Sequence, residues 1–199
     1  MQARFRRQDF ALALALADRL LEGFEDREHG GFWFTSHDHE RLYHRMKPAQ
    51  DNATPSGNGV AAQALIALGH LASEPRYLEA AERTLRLFAG GIAHSPNAHV
   101  SLLTALERIE RPPAILILCG NVAQTRRWQR ALERDYRPEL CIVDIGTGAD
   151  APASLLKAAP PRDGAVGWLC QGMQCLPPIA TLEGIESAIS GKISGFRPL

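Results

Sequence analysis

Residues 51–58, DNATPSGN, put a carboxylate, two carboxamides and two hydroxyls directly ahead of the apolar run GVAAQALIALGHL. Local geometry alone accounts for much of this composition. Thr54 or Ser56 is a preferred helix N-cap, Pro55 suits a first turn, and Gly57 and Asn58 tolerate tight geometry. A second reading adds chemistry. A helix N-terminus offers unpaired N–H donors and partial positive charge, so Asp51, Asn52, Ser56 and Asn58 gathered there would grip the hydroxyls of a sugar-like ligand. Trp33 and Tyr43 would then serve as stacking walls. Glycoside hydrolysis needs a pair of carboxyl groups at a set separation. Asp38 and Glu40 are candidate partners for Asp51, but nothing in the spacing fixes a distance between them.

Two further clusters carry reactive side chains. His29, His37, His39 and His44 are the densest histidines, and HDH on an extended segment would point His37 and His39 to one side. With Asp38 or Glu40 nearby they would suit a divalent metal, although the spacing matches no standard zinc signature and a solvated polar loop is the plainer reading. Cys170 and Cys175 in CQGMQC are separated by four residues, not the two of a thioredoxin-type motif, so the usual argument for a lowered thiol pKa does not transfer. A sharp turn at Gly172 would bring the sulfurs together as a reversible disulfide or metal pair. Otherwise they are small residues packed beneath a sheet. Cys119 and Cys141 end and begin apolar runs and read as core. The glycine in CGNVAQT lies between a strand and a helix, where α/β folds bind phosphate, but it fits neither a dinucleotide fingerprint nor a P-loop. RRWQR, balanced by Glu133 and Asp135, reads as a solvated helix face.

Composition narrows the partners. Twenty-two basic residues offset 22 acidic ones across 199 positions, leaving no global field to draw in nucleic acid or an anionic membrane. FALALALA is too short to span a bilayer, and RFRR before it lacks a small-residue cleavage site, so a cytoplasmic protein with four reduced cysteines is expected. No cofactor is implied.

The elements that must position these residues fall into two halves. Up to residue 110 the periodicity is helical. Phe10, Leu14, Ala17, Leu21 and Phe24 form one stripe; Val60, Ala64, Leu68 and Leu71 a second; Tyr77, Ala81, Leu85, Phe88 and Ile92 a third, weakened at Gly90 and Gly91; Val100, Leu103, Leu106 and Ile109 a fourth. Gly30 and Gly31 stop the first helix, and Phe32 and Phe34 would then face one way with Trp33 and Thr35 opposite, as in a short strand or extended loop. Arg111-Pro112-Pro113 breaks the pattern. Beyond it AILILCG and ELCIVDIG read as buried strands around a helix, VAQTRRWQRALERDY, that packs through Val122, Trp128, Leu132 and Tyr136. AVGWLC would supply a third strand and IATLEGIESAIS a last helix, with mostly parallel pairing from the strand–helix–strand order. The expected division is therefore 1–110, helical hairpins, and 111–199, a small α/β subdomain.

The order GGFWFT, then DNATPSGN opening a helix, a proline-rich break, a strand ending in CG, and GWLCQGMQCLPP resembles the C-terminal part of the YyaL-like, thioredoxin-domain-containing (spermatogenesis-associated) family, over nearly the whole chain. The resemblance implies a mainly α protein whose first part is a partial (α/α) toroid, similar to sugar epimerases and six-hairpin glycosidases, with inner-helix ends lining a cavity. It also implies that the thioredoxin-like domain and early toroid hairpins are missing here, so no redox role carries over from that domain. Four helices cannot close such a ring, and their open faces would self-associate or dock a partner chain that completes it. Two functions follow as expectations: an interaction or assembly module without a complete active site, or a carbohydrate-binding or carbohydrate-active toroid with its ligand at 51–58. Bulky apolar residues at the exposed ends of the four-helix sheet would favour the first, and their polar replacement the second.

Overall fold

The computed structural model describes residues 5–149, 151–159, 161 and 163–195, with side chains through 191. The chain divides into two compact units, Ala11–Pro112 and Met1–Phe10 with Pro113–Leu199. Among the described residues it holds six α-helices and a four-stranded sheet. None of the described helices is long and apolar enough to cross a membrane.

In the first unit, α1 (Arg7–Phe24) runs from residue 11 onward, followed by α2 (Gly57–Ala72), α3 (Pro75–His94) and α4 (Val100–Glu110). Ser56 caps α2 by accepting the Gly59 N–H, and Pro75 opens α3 at its first turn. α2 packs against both α3 and α4, burying Leu65, Ile66, Leu68 and Leu71. Half of the expected stripe is buried, Leu68 and Leu71, while Val60 and Ala64 are exposed and Leu65 and Ile66 are covered in their place. α2 is apolar almost all round, so periodicity could not choose its buried side. α4 is likewise rotated from expectation. Ser101, Leu102 and Ala105 are buried while Val100 and Leu106 face solvent. α3 continues through Gly90 and Gly91 instead of weakening there, because Gly91 leaves room for the buried His99 ring, whose Nε2 would lie 3.3 Å from any Cβ at that position.

Between α1 and α2 the expected alternation fails. A single antiparallel bridge joins Glu25 and Phe32, with Gly30 and Gly31 at φ of 83° and 75° supplying the reversal. No ladder follows, so Phe32 is buried while Phe34 is exposed, not on its side.

In the second unit, β1 (Ala114–Gly120) is buried along its whole length. α5 (Val122–Leu132) returns the chain to β2 (Leu140–Asp144), which pairs parallel to β1. β3 (Ala165–Gln171) lies on the other side of β1 and is antiparallel to it, and β4 (Gln174–Cys175) is antiparallel to β3 at the edge. The sheet is therefore mixed, where mostly parallel pairing was expected. The reason is that the segment after β2 enters β3 beside the end of β1: Gly120 pairs with Ala165, and the Asn121 N–H reaches the Gly164 carbonyl at 2.7 Å. β3 thus needs no crossover helix and runs back along β1. Leu116, Leu118, Trp128, Leu132, Leu169, Ile185 and Ile189 form the core, the last two from α6 (Leu182–Gly195). α5 ends at Leu132, so Tyr136 lies outside it and is exposed, and Val122 is only partly covered.

Candidate functional site

The 51–58 corner turns most of its polar atoms toward the protein. Asp51 Oδ1 accepts the Ser56 N–H at 2.8 Å and the Ser101 hydroxyl, and Oδ2 accepts the Ser101 N–H at 2.7 Å. His99, the residue before α4, makes no side-chain cap bond. Asp51 supplies the missing anion from 50 positions away, where the helix N-terminus favours negative charge. Burial pushes its carboxyl up, but the Ser101 hydroxyl and the Ser101 and Ser56 N–H groups outweigh that and hold it below the usual carboxylate range. Since the single Ser101 hydroxyl proton goes to Asp51, Ser56 Oγ donates to Ser101 Oγ across 3.1 Å. α2 and α4 come this close because residue 59 is glycine. A Cβ there would stand 1.9 Å from Ser101 Oγ.

Asn58 is buried and acts as a strand-like partner for the 32–48 segment. Its Oδ1 accepts the Phe32 N–H at 2.7 Å, and its Nδ2 donates to the Phe32 and Pro48 carbonyls at 3.0 and 2.9 Å. Both Nδ2 hydrogens and one lone pair of Oδ1 are thus in use. Asn52 differs, being exposed. It lines an open groove of about 330 Å³ together with Trp33, Phe34, Gln50 and Thr54, so the structure brings Trp33 and Asn52 to one surface. Ser56 and Asn58 border the same groove. Tyr43 does not; it stands fully exposed and forms no wall.

Trp33 carries cations instead. The Arg45 guanidinium lies 4.8 Å and the Lys47 ammonium 4.3 Å from its ring centre. Lys47 also donates to Asp26 Oδ2 at 2.6 Å and to the Gly30 carbonyl at 2.7 Å. Burial raises the Asp26 carboxyl, but Lys47 and the His29 and Glu28 N–H groups prevail and lower it to about 2. Glu25, also buried, pairs with Arg83. Neither ion pair was legible in the sequence, because each joins residues more than 20 positions apart and no local spacing marks it.

The histidines do not form a shared face. Residues 37–39 are a turn, closed by the His39 N–H on the Ser36 carbonyl, so the two rings do not project side by side as an extended segment would have it. His37 Nε2 lies 3.0 Å from the Glu25 carbonyl and His39 Nδ1 3.2 Å from that of Glu40. Among the described residues no group of three or more His, Cys, Asp or Glu side chains is arranged to hold a metal.

Cys170 and Cys175 are joined in a disulfide across the β3–β4 pair. The expectation of four reduced thiols is thereby corrected, as is that of two buried ones, since Cys170 is buried and Cys175 exposed. Cys119 and Cys141 are free thiols, both raised by burial, Cys119 also by the nearby Asp144 carboxylate. No protein-family model and no curated protein matches this chain.

Proposed function

We propose that the helical unit is an assembly module without a complete active site, which docks a second copy of the chain on the outer face of α1. One observation carries this reading. Leu12 and Leu16, four residues apart on one helix face, are 60% and 61% exposed, while Ala17 and Leu21 are buried. α1 therefore has two apolar faces, and only one is covered. Burying such a leucine contributes about 1.5–3 kcal/mol, enough for a small set of them to drive association. Val100, Val60 and Leu106 add exposed apolar surface on the other helices. A formal net charge of zero puts no long-range repulsion between copies. The commitment of Asp51, Ser56 and Asn58 to internal bonds supports the non-catalytic half of the reading. This reading agrees with kinship to the YyaL-like family and with α1–α4 as part of an (α/α) toroid, both of which remain part of the proposal.

Light scattering on the purified chain tests it. A dimer or larger species is expected, reverting to monomer in Leu12→Glu/Leu16→Glu; a wild type that stays monomeric at every concentration sinks the proposal.

The groove beside Trp33 favours a second reading, a sugar-like ligand lying against Phe34 and held by Asn52 and Thr54. Tryptophan fluorescence titrated with mono- and disaccharides separates the two. Saturable quenching lost in Asn52→Ala supports it, and no response to any of them removes it.

A further inference from the structure

The described part of the α/β unit keeps two thiols reduced and one pair oxidised, and the oxidised pair sits where a disulfide contributes least to holding the chain together. The β3–β4 hairpin closes without it. Gly172 has φ 59°, and Met173 is not among the residues with positive φ, the sign pattern of a type II′ turn, in which glycine occupies the first central position. Gln171 and Gln174 pair across the turn, and the Leu176 N–H reaches the Leu169 carbonyl at 2.9 Å. Between these hydrogen-bonded pairs, Cys170 and Cys175 face each other as a non-hydrogen-bonded pair, with Cα atoms 3.9 Å apart, where side chains come closest. Their separation in sequence is only 5. A crosslink over so short a loop removes little entropy from the unfolded chain, and a two-residue turn has already closed the loop.

The two sulfurs also differ in access, for the Cys170 residue is 5% exposed and Cys175 lies on the exposed edge strand. Gly172 would meet nothing within 4 Å if it carried a Cβ, and Met173 is exposed, so the turn leaves the approach to the bond open.

We propose that the Cys170–Cys175 bond is a thiol-exchange site whose co-substrate is a low-molecular-mass thiol. A thiolate attacks Cys175 Sγ and forms a mixed disulfide there; the bond to Cys170 breaks, and its electron pair leaves with Cys170 as a thiolate. A second thiolate then attacks the small thiol's sulfur in that mixed disulfide and releases Cys175 as a thiolate. Two external thiols become one external disulfide, the protein disulfide takes up two electrons, and two protons end on Cys170 and Cys175. The reverse sequence reoxidises the pair. Burial of Cys170 directs attack to Cys175, and the buried Cys119 and half-buried Cys141, with raised thiol pKa values, stay out of the exchange.

The test equilibrates the folded full-length chain in glutathione buffers of varied reduced-to-oxidised ratio, traps free thiols by alkylation and maps them by mass spectrometry. The expected result is reversible gain of two thiols, at 170 and 175, following the buffer ratio without denaturant. Reduction that requires denaturant, or that modifies Cys119 or Cys141 first, overturns the proposal. Single variants then assign the attacked sulfur. Cys170→Ser, with its thiol at 175, is expected to form the mixed disulfide with oxidised glutathione at least about tenfold faster than Cys175→Ser. Equal rates in two folded variants overturn the direction of attack. Should either variant fail to fold, the rate of reduction of the wild-type bond and the position of its transient glutathione adduct decide the same point: an adduct at 175 supports the direction, and one at 170 overturns it.

Discussion

The 51–58 corner and the 170–175 hairpin both gather reactive side chains in a few residues, yet the fold treats them in opposite ways. At the corner, Asp51, Ser56 and Asn58 turn inward to partners 10 to 50 positions away or bond within the turn itself. At the hairpin, two sulfurs meet across a turn of the same local stretch and one of them stays at the surface. Proximity in sequence is thus a poor guide to availability for chemistry. What decides is whether the fold needs those polar atoms to satisfy its own backbone.

Substitutions measure that difference. The largest effect is expected for Gly59→Ala, whose added Cβ meets Ser101 Oγ at 1.9 Å and Ser101 Cβ at 2.6 Å. The α2–α4 contact must separate, at a cost of about 3 kcal/mol or more in chemical denaturation. Asn58→Ala comes next, at about 2–4 kcal/mol, because it orphans the Phe32 N–H and leaves two carbonyls without their amide donor. Full stability in either variant would mean that the corner does not depend on its internal bonds, and the two regions would no longer differ in that respect.

The third effect depends on pH. Asp51 is held below its ordinary value in the folded chain, so its contribution is fully present above the unfolded value, about 3.9, and is lost as pH falls through the lower folded value. Asp51→Asn should lower stability at neutral pH and flatten, without abolishing, the acid limb of a stability–pH curve. Asp26, lowered to about 2, loses its own contribution from the unfolded value downward through about 2, and so keeps an acid limb in the variant. Curves that run parallel would remove Asp51 from the account. Smallest of all should be the double change Cys170→Ser/Cys175→Ser, at about 2 kcal/mol or less. A loss as large as that of Gly59→Ala would make the disulfide structural and erase the contrast between the two sites.

The same contrast explains what could be read in advance. AILILCG is apolar without interruption, and β1 is buried along its full length. The helix after DNATPSGN and its cap at Ser56 follow from local preference. The register of α2 is not legible because the helix is apolar almost all round, and that of α4 because a long-range polar contact sets it. Asp51 draws Ser101 inward, so Ser101 and Leu102 are buried and Val100 is turned out, although the apolar spacing pointed to Val100. In the same way Asn58, a capping residue by type, is committed to Phe32 and Pro48. AVGWLC is the expected third strand, but its antiparallel direction is not legible, because strand–helix–strand order predicts the first crossover and says nothing of where the next segment re-enters the sheet.

Asp51 also sets an order of events as the chain folds. Its carboxylate joins the residue before α2 to the first turn of α4; the Ser56 bond and the Ser56 cap are local, but the start of α4 gains its anion only once about 50 residues of intervening chain have closed into a loop. The 170–175 hairpin, by contrast, is closed by a contact whose separation in sequence is only 5. The first turn of α4 therefore depends on a distant encounter for its anion, and removal of that one carboxylate would be felt as a loosened α2–α4 contact.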